Sequence, residues 1–432
     1  MFLLAAVGIL CGSGAFAGQA AADAVAKVLT DAPEGTFTIA VIPDTQRYLG
    51  PGSGRGDQSG EPRNPAFDSR TRWLADNLEA QRIVFVTHVG DIVDRNHHTQ
   101  WRIARANMDR FHGRVPYGIA VGNHDMSGRT GDSSLFQEYF GAERYAAMPW
   151  YGGTYAGRPG HAPQVSGNNA NSFQLFTAGG MDFVIVHVEC NAPDDVLAWV
   201  NAVLHAHRNR LAIITTHMYL GPIPRPANRS EWLKVPQGRM QWKKVHGDRG
   251  NTPQQMWEKS FSRHANLFLI LAGDQSGVIA LRQESRGEHG NLVYEVMQDY
   301  PRDADESDWL RLFRFHPDRQ EIRVFTYSPA QDRLCDGMRH VPDWDEHQFV
   351  LDVSEAVARQ ARPRARRGAW RPAPAGRWKD VRWVAGARHR ADVEHARYAL
   401  TSHTPVAAAR CEAGPGGHDA NHSLPLRQGD LP

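Results

Sequence analysis

Little in this sequence selects an outside partner. It has four cysteines in 432 residues (Cys11, Cys190, Cys335 and Cys411), too few for a disulfide framework and in no zinc-binding spacing. The net charge is only +2, so charge alone selects neither a polyanion nor an acidic surface. No stretch is apolar for long enough to make a stable membrane span, and the N-terminal run FLLAAVGIL is too short for one. That run is followed by Ala15-Phe16-Ala17, a small-x-small cleavage pattern, although no basic residue precedes it. The expectation is a signal peptide over residues 1–17 and a periplasmic or secreted protein. Cleavage leaves three cysteines and at most one internal disulfide, for which Cys190–Cys335 is the favoured pairing.

What is present is strand-like runs alternating with helical spacing. Apolar, β-branched segments recur at 36–43, 83–89, 117–121, 172–177, 181–188, 211–216, 267–272, 292–297, 309–315 and 321–327. Between them, 68–81 (with Asp68 as the helix cap), 99–111 and 194–207 carry apolar residues at helical spacing. The alternation predicts an α/β layered domain, and the last two strands read as a hairpin. Residues 48–66 read as a loop. Residues 218–256, rich in Pro, Gly, Lys, Arg and Trp, read as a long insertion, a kind of segment that is usually functional or mobile. Residues 331–355 extend the domain. From about 356 onward the chain is rich in Arg, Pro and Ala without a sustained period, which predicts a disordered tail or a reading-frame artefact. Its arginines could bind nucleic acid, but no specific nucleic-acid partner is evident.

Three polar motifs each follow an apolar run. They are Asp44-Thr45-Gln46 after FTIAVIP, Gly90-Asp91-Ile92-Val93-Asp94 after IVFVTHV, and Gly122-Asn123-His124-Asp125 after YGIAV. Carboxylates and an amide delivered to one sheet edge can hold a metal ion, and a histidine beside them can move protons. With His217 ending LAIITTH, this order resembles the calcineurin-like metallophosphoesterases over residues 36–329, most of the chain. The resemblance implies a four-layer αββα sandwich of two mixed sheets, with one or two divalent cations at the strand ends and hydrolysis of a phosphomonoester or phosphodiester by activated water.

Carried over position by position, it implies metal ligands at Asp44, Gln46, Asp91, Asn123, His217 and Asp274. Asp91 bridges, His124 serves the leaving group and Asp125 orients His124. Asp94 either supports these ligands or starts the following helix. His88 and His187, inside strands, read as core histidines, and His97 and His98 as surface residues. Two departures stand out. Gln46 replaces a family histidine, and Gly273-Asp274-Gln275-Ser276 replaces the family's G-H-x-H. The remaining oxygen donors suit Mn, Mg or Ca better than Zn at the first position, with Fe a further candidate for the centre. Candidate substrate contacts are Arg47 and Tyr48 beside the first motif, Arg95 beside the second, and Lys243, Lys244, His246 and Arg249 in the insertion, where Trp232 and Trp242 could stack on a base or sugar. The rival reading is a metal- or phosphate-binding protein whose altered last motif no longer supports hydrolysis.

Overall fold

The computed structural model describes residues 29–53, 58–157, 162, 164–275, 280–300, 308–338, 341 and 343–360. The expected signal segment, Ser276 and the stretch from 361 lie outside them. In chain order the strands are β1 (Phe37–Ile42), β2 (Ile83–His88), β3 (Tyr117–Ile119), β4 (Tyr151–Thr154), β5 (Ser172–Ala178), β6 (Met181–His187), β7 (Leu211–Met218), β8 (Leu220–Pro222), β9 (Gln237–Arg239), β10 (Leu267–Gly273), β11 (Ala280–Arg286), β12 (Leu292–Gln298), β13 (Leu310–His316), β14 (Glu321–Ser328), β15 (Arg333–Leu334) and β16 (Phe349–Asp352). The helices are α1 (Pro65–Asp76), α2 (His98–Met108), α3 (Ser134–Phe140), α4 (Asp194–Ala206), α5 (Pro253–Lys259) and α6 (Ser354–Gln360).

Two seven-stranded mixed sheets result. One runs β15-β14-β13-β1-β2-β3, with β16 also on β14; the other runs β11-β12-β10-β7-β6-β5-β4. In the first, β1, β2 and β3 are parallel, and α1 and α2 make the crossovers. In the second, β6, β7, β10 and β12 are parallel. Every residue of β2, β7 and β10 is buried, because each sheet is covered on both faces. Phe37, Phe85, Phe176, Phe183 and Phe315 fill the space between the sheets. Phe67, Leu74, Trp101 and Met108 pack helices on the outside of the first sheet, and Val196, Val200 and Leu204 do so on the second. Three apolar layers separate four layers of secondary structure, the sandwich expected.

All ten expected strands form. The short β4, β8, β9, β15 and β16 and the polar edge strand β11 (ALRQESR) were not expected, since none is a continuous apolar run. The cap of α1 is Asn64, not Asp68. The Asn64 side chain accepts from the Phe67 amide at 3.1 Å and donates to Thr45 O at 2.7 Å, while Asp68 lies inside the first turn, paired with Arg72 and Arg110. Cys190 and Cys335 are free and buried in separate clusters, so they form no disulfide. The 218–256 segment is structured, with β8 paired to β9 and α5 beginning at its end. Helix α6 continues to Gln360, past the expected start of the tail. No helix among the described residues is long and apolar enough to cross a membrane.

Asn64→Ala is expected to cost about 2 kcal/mol, one cap plus one buried hydrogen bond. Asp68→Ala should cost less than about 1 kcal/mol, because its ion pairs are largely exposed. Urea unfolding of the two variants should return that order; equal losses would argue against Asn64 as the cap.

Candidate metal centre

The parallel strands deliver their C-terminal ends to one region, where loops meet, as in other open α/β sheets. Asp44 follows β1, Asp91 follows β2, Asn123 follows β3, and His217 lies at the end of β7. One ligand atom from each of Asp44, Asp91 and His217 lies within 4.8 Å of the others, and all three residues are buried. His217 Nδ1 donates to Val89 O at 2.9 Å. That fixes the tautomer and aims the Nε2 lone pair at Asp91 Oδ1 (3.2 Å) and Asp44 Oδ2 (4.0 Å). Asp44 Oδ2, Asn123 Oδ1 and His217 Nε2 are buried without a hydrogen-bond partner among the described residues. Two carboxylates, an imidazole and an amide oxygen form a mixed set that fits a divalent first-row cation.

The local backbone is built for this approach. Asp91 sits at φ +50°, a left-handed conformation that costs an L-residue of order 1 kcal/mol and marks functional turns. At Gly122 a Cβ would lie 2.2 Å from Asp91 N and Oδ1, and at Gly273 it would lie 2.3 Å from Asp44 Oδ1. Only glycine lets these two loops close on the carboxylates. A hydrogen-bond chain ties the first two motifs together. The Gly90 amide donates to His88 Nδ1 (3.2 Å), so His88 Nε2–H donates to Thr45 Oγ1 (3.1 Å), whose own hydrogen goes to Ile92 O (2.9 Å).

Electrostatics follow from burial and crowding. Burial and the Asp299 charge raise Asp44 well above the usual carboxylate range. Burial alone would raise Asp91 too, but His217 and His124 outweigh it and hold Asp91 well below that range. Burial would lower His217, but Asp91 and Asp44 outweigh it and raise it well above the usual histidine value. Burial, with Asp91 nearby, pushes Asp125 up to about 7.

The model of the calcineurin-like phosphoesterase family matches residues 37–336. The chain belongs to the calcineurin-like phosphoesterases. It is 27% identical over 329 residues to YvnB of Bacillus subtilis (strain 168), covering 74% of this chain and only 22% of that protein. Among solved structures it is similar to a dimetal phosphatase from Danio rerio (13% identity, 74% of this chain and 99% of that one, TM-score 0.40). It is also similar to a 5'-nucleotidase precursor from Thermus thermophilus (12%, 76% and 59%, TM-score 0.35) and the Haemophilus influenzae NAD nucleotidase (12%, 75% and 55%, TM-score 0.38).

In this calcineurin-like phosphoesterase several expected site residues take other parts. Gln46 donates its amide nitrogen to Asp91 Oδ2 at 2.5 Å, so that nitrogen supports the Asp91 carboxylate. Asp274 is engaged by Lys244 at 2.5 Å. Asp125 does not hold His124. Its carboxylate accepts from the Val93 and Gly122 amides (3.1 and 2.8 Å) and binds the second motif to the third. His124 Nδ1 is held by Asp94 O at 2.7 Å, leaving Nε2 4.0 Å from Asp91 Oδ2.

The candidate substrate contacts divide. Arg47 is half-buried and Arg95 exposed, each beside its motif. Tyr48 is buried and donates to Ile92 O. His246 is buried 3.6 Å from Glu189, Lys243 bonds carbonyls of its own loop, and Arg249 faces Asp195. His187 is a core residue between Thr87 and Gln174, lowered to about 3 by burial, and His97 and His98 are exposed. Sequence reasoning missed Asp299, buried just after β12, whose Oδ2 accepts from the Gln275 amide at 2.8 Å. An acidic residue just after a strand was the signal at Asp44 and Asp91, and it applied here as well.

Asp44, Asp125 and His217 all carry folded-state values above their unfolded ones. Each therefore stabilises most at low pH and less as pH rises: Asp125 loses its part between 3.8 and about 7, and His217 above 6.5. Asp91, shifted down, acts oppositely and only in strong acid. EDTA-treated protein should therefore lose melting temperature from pH 5 to pH 8, and added Mn²⁺ should abolish that slope. A flat or rising melting temperature in EDTA would refute this electrostatic picture.

Proposed function

We propose that this chain is an exported, metal-dependent phosphoesterase that hydrolyses a phosphomonoester or phosphodiester. The observation that carries the reading is the approach of one ligand atom each from Asp44, Asp91 and His217 to within 4.8 Å, with Asp44 Oδ2, His217 Nε2 and Asn123 Oδ1 buried and unpartnered among the described residues, beside a partly exposed His124. Asp44, Asp91 and His217, with Asn123, would hold a divalent cation there. When bound, such an ion supplies Lewis-acid polarisation of the phosphoryl group and eases deprotonation of water. The chain's own residues do the rest. Val89 O fixes the His217 ring, Gln46 and the His124 amide fix the Asp91 carboxylate, and Asp94 O fixes the His124 ring. With Nδ1–H bound to that carbonyl, Nε2 is the nitrogen from which the imidazolium form of the ring would hand its second proton to the leaving oxygen, reverting to the neutral ring. Export is supported by the apolar run and the Ala15-Phe16-Ala17 pattern.

A non-catalytic binding protein is the second reading. It is favoured by the hydrogen bond that turns Gln46 toward Asp91 and by the ion pair that occupies Asp274. Mn²⁺-dependent hydrolysis of an aryl phosphodiester and of its monoester separates the two readings. We expect turnover that EDTA and Asp91→Ala abolish. His124→Ala should lower kcat by about 10²–10⁴, less for a nitrophenolate than for an alkoxide leaving group, as general acid catalysis requires. Binding of Mn²⁺ without turnover of either ester would favour the binding protein. For export, intact-mass analysis of protein from the extracytoplasmic fraction should find a chain beginning at Gly18. Unprocessed chain confined to the cytosol would end that part of the proposal.

A further inference from the structure

The site holds more buried negative charge than one cation-binding trio explains. Asp44, Asp91, Asp274 and Asp299 are all at least nine-tenths buried. Asp44 Oδ1 accepts from the Asp274 amide at 3.4 Å, and the Asp299 charge is felt at Asp44, so the four belong to one electrostatic unit. His217 faces Asp44 and Asp91. At Asp274 stands Lys244, its Nζ 2.5 Å from Oδ2 and its side chain 15% exposed.

The Lys244 position is built, not incidental. Its amide donates to Asn191 Oδ1 at 2.9 Å, and Asn191 itself, at φ +52°, is tied to Asn251 O. Its ammonium lies 5.9 Å from the Trp242 ring, and that ring is fixed by an indole hydrogen bond to Pro222 O at 2.8 Å. A lysine restrained at its backbone and beside an aromatic face loses little further freedom when its ammonium is used. Asn123 Oδ1, in the motif that follows β3, remains buried and unpartnered among the described residues.

We propose that Lys244 supplies the second positive charge of this centre. One divalent cation is held by Asp44, Asp91, His217 and Asn123. The Lys244 ammonium, locked on Asp274, stands where a second cation would and donates to a non-bridging phosphoryl oxygen of the substrate. The metal count is independent of the phosphoesterase reading; the phosphoryl contact rests on it. An ammonium suits the task because it is a point charge with three donors, of which Asp274 takes one among the described residues.

The test is a Mn²⁺ titration of the full chain, read by bound-metal analysis and electron paramagnetic resonance. Wild type should take one Mn²⁺ per chain and give the spectrum of an isolated ion. Lys244→Met, which keeps length and loses charge, should take a second Mn²⁺ and give a spin-coupled pair, because Asp274 is then free to ligate. Lys244→Arg should stay at one. At one bound Mn²⁺, Lys244→Met should raise KM for an aryl phosphodiester roughly ten- to a hundredfold, the loss of one hydrogen bond to a charged group. Should Lys244→Met not fold, judged by circular dichroism, Asp274→Asn decides instead. It should keep the single Mn²⁺ of wild type if Lys244 is the partner of Asp274, and lower the number bound if Asp274 is a ligand. A spin-coupled pair in wild type, or a single ion in folded Lys244→Met, overturns the proposal and leaves the phosphoesterase reading standing. One Mn²⁺ without hydrolysis of any phosphoester removes that reading and the phosphoryl contact, but not the charge replacement. No Mn²⁺ at all removes both.

Discussion

The contact on which the rest depends is the approach of His217 Nε2 to two buried carboxylates, 3.2 Å from Asp91 and 4.0 Å from Asp44. Three groups that would each prefer water are held away from it by residues of both sheets. A carboxylate taken out of water without compensation costs several kcal/mol, and the imidazole lone pair adds repulsion rather than relief. The cluster is tolerable only with positive charge at its centre, either a proton on His217 or a cation. Because Val89 O already takes Nδ1–H, the proton and the cation compete for the same Nε2 lone pair. The arrangement therefore demands a proton or a cation at its centre, and its three donors are ones that could hold a metal ion.

That cluster explains features of the fold that packing alone would not require. Gly122 and Gly273 lie where a methyl group would strike a carboxylate, and Asp91 is held in a left-handed conformation between them. Strain of this kind persists only where the surroundings over-determine it. Here they do: β2 and β7 are buried along their whole length, and Phe37, Phe176, Phe183 and Phe315 stack between the sheets with ring centroids as close as 4.6 Å. The aromatic core fixes the spacing of the two sheets, and that spacing fixes the distance from Asp91 to His217.

The architecture was legible because strands buried on both faces must be continuous apolar runs. IVFVTH and LFLILAG are such runs, whereas YGGT and ALRQESR at the sheet edges are not and passed unseen. The candidate ligand positions Asp44, Asp91 and His217 stood out beside these runs, since a carboxylate or imidazole at the end of a buried apolar run contributes nothing to packing and must be matched by charge. The partnerships were not. Asp125 follows His124 in sequence, yet the backbone turn sends its carboxylate to the Val93 and Gly122 amides and brings the Asp94 carbonyl to the imidazole instead. Adjacency along a chain says little about contact within a turn. His246 was a candidate substrate contact in a polar loop, and only the tertiary structure reveals it buried beside Glu189.

The 218–256 segment is best understood through that last contact. A loop of this length pays a large ordering entropy, and its composition offers few apolar residues to offset it. The segment orders because its anchors are specific. Trp242 bonds Pro222 O and packs edge-on against Trp232, Arg239 reaches Glu295 on β12, and the His246 amide donates to Arg129 O while its ring lies over Glu189. These anchors fall on both sides of Lys244 in the chain. With Trp242 fixed two residues before it and His246 two residues after, the Lys244 backbone has little latitude, and its ammonium is directed at Asp274 as a consequence. An insertion that read as functional or mobile is ordered by these contacts, and through Lys244 it reaches Asp274 beside the candidate metal centre.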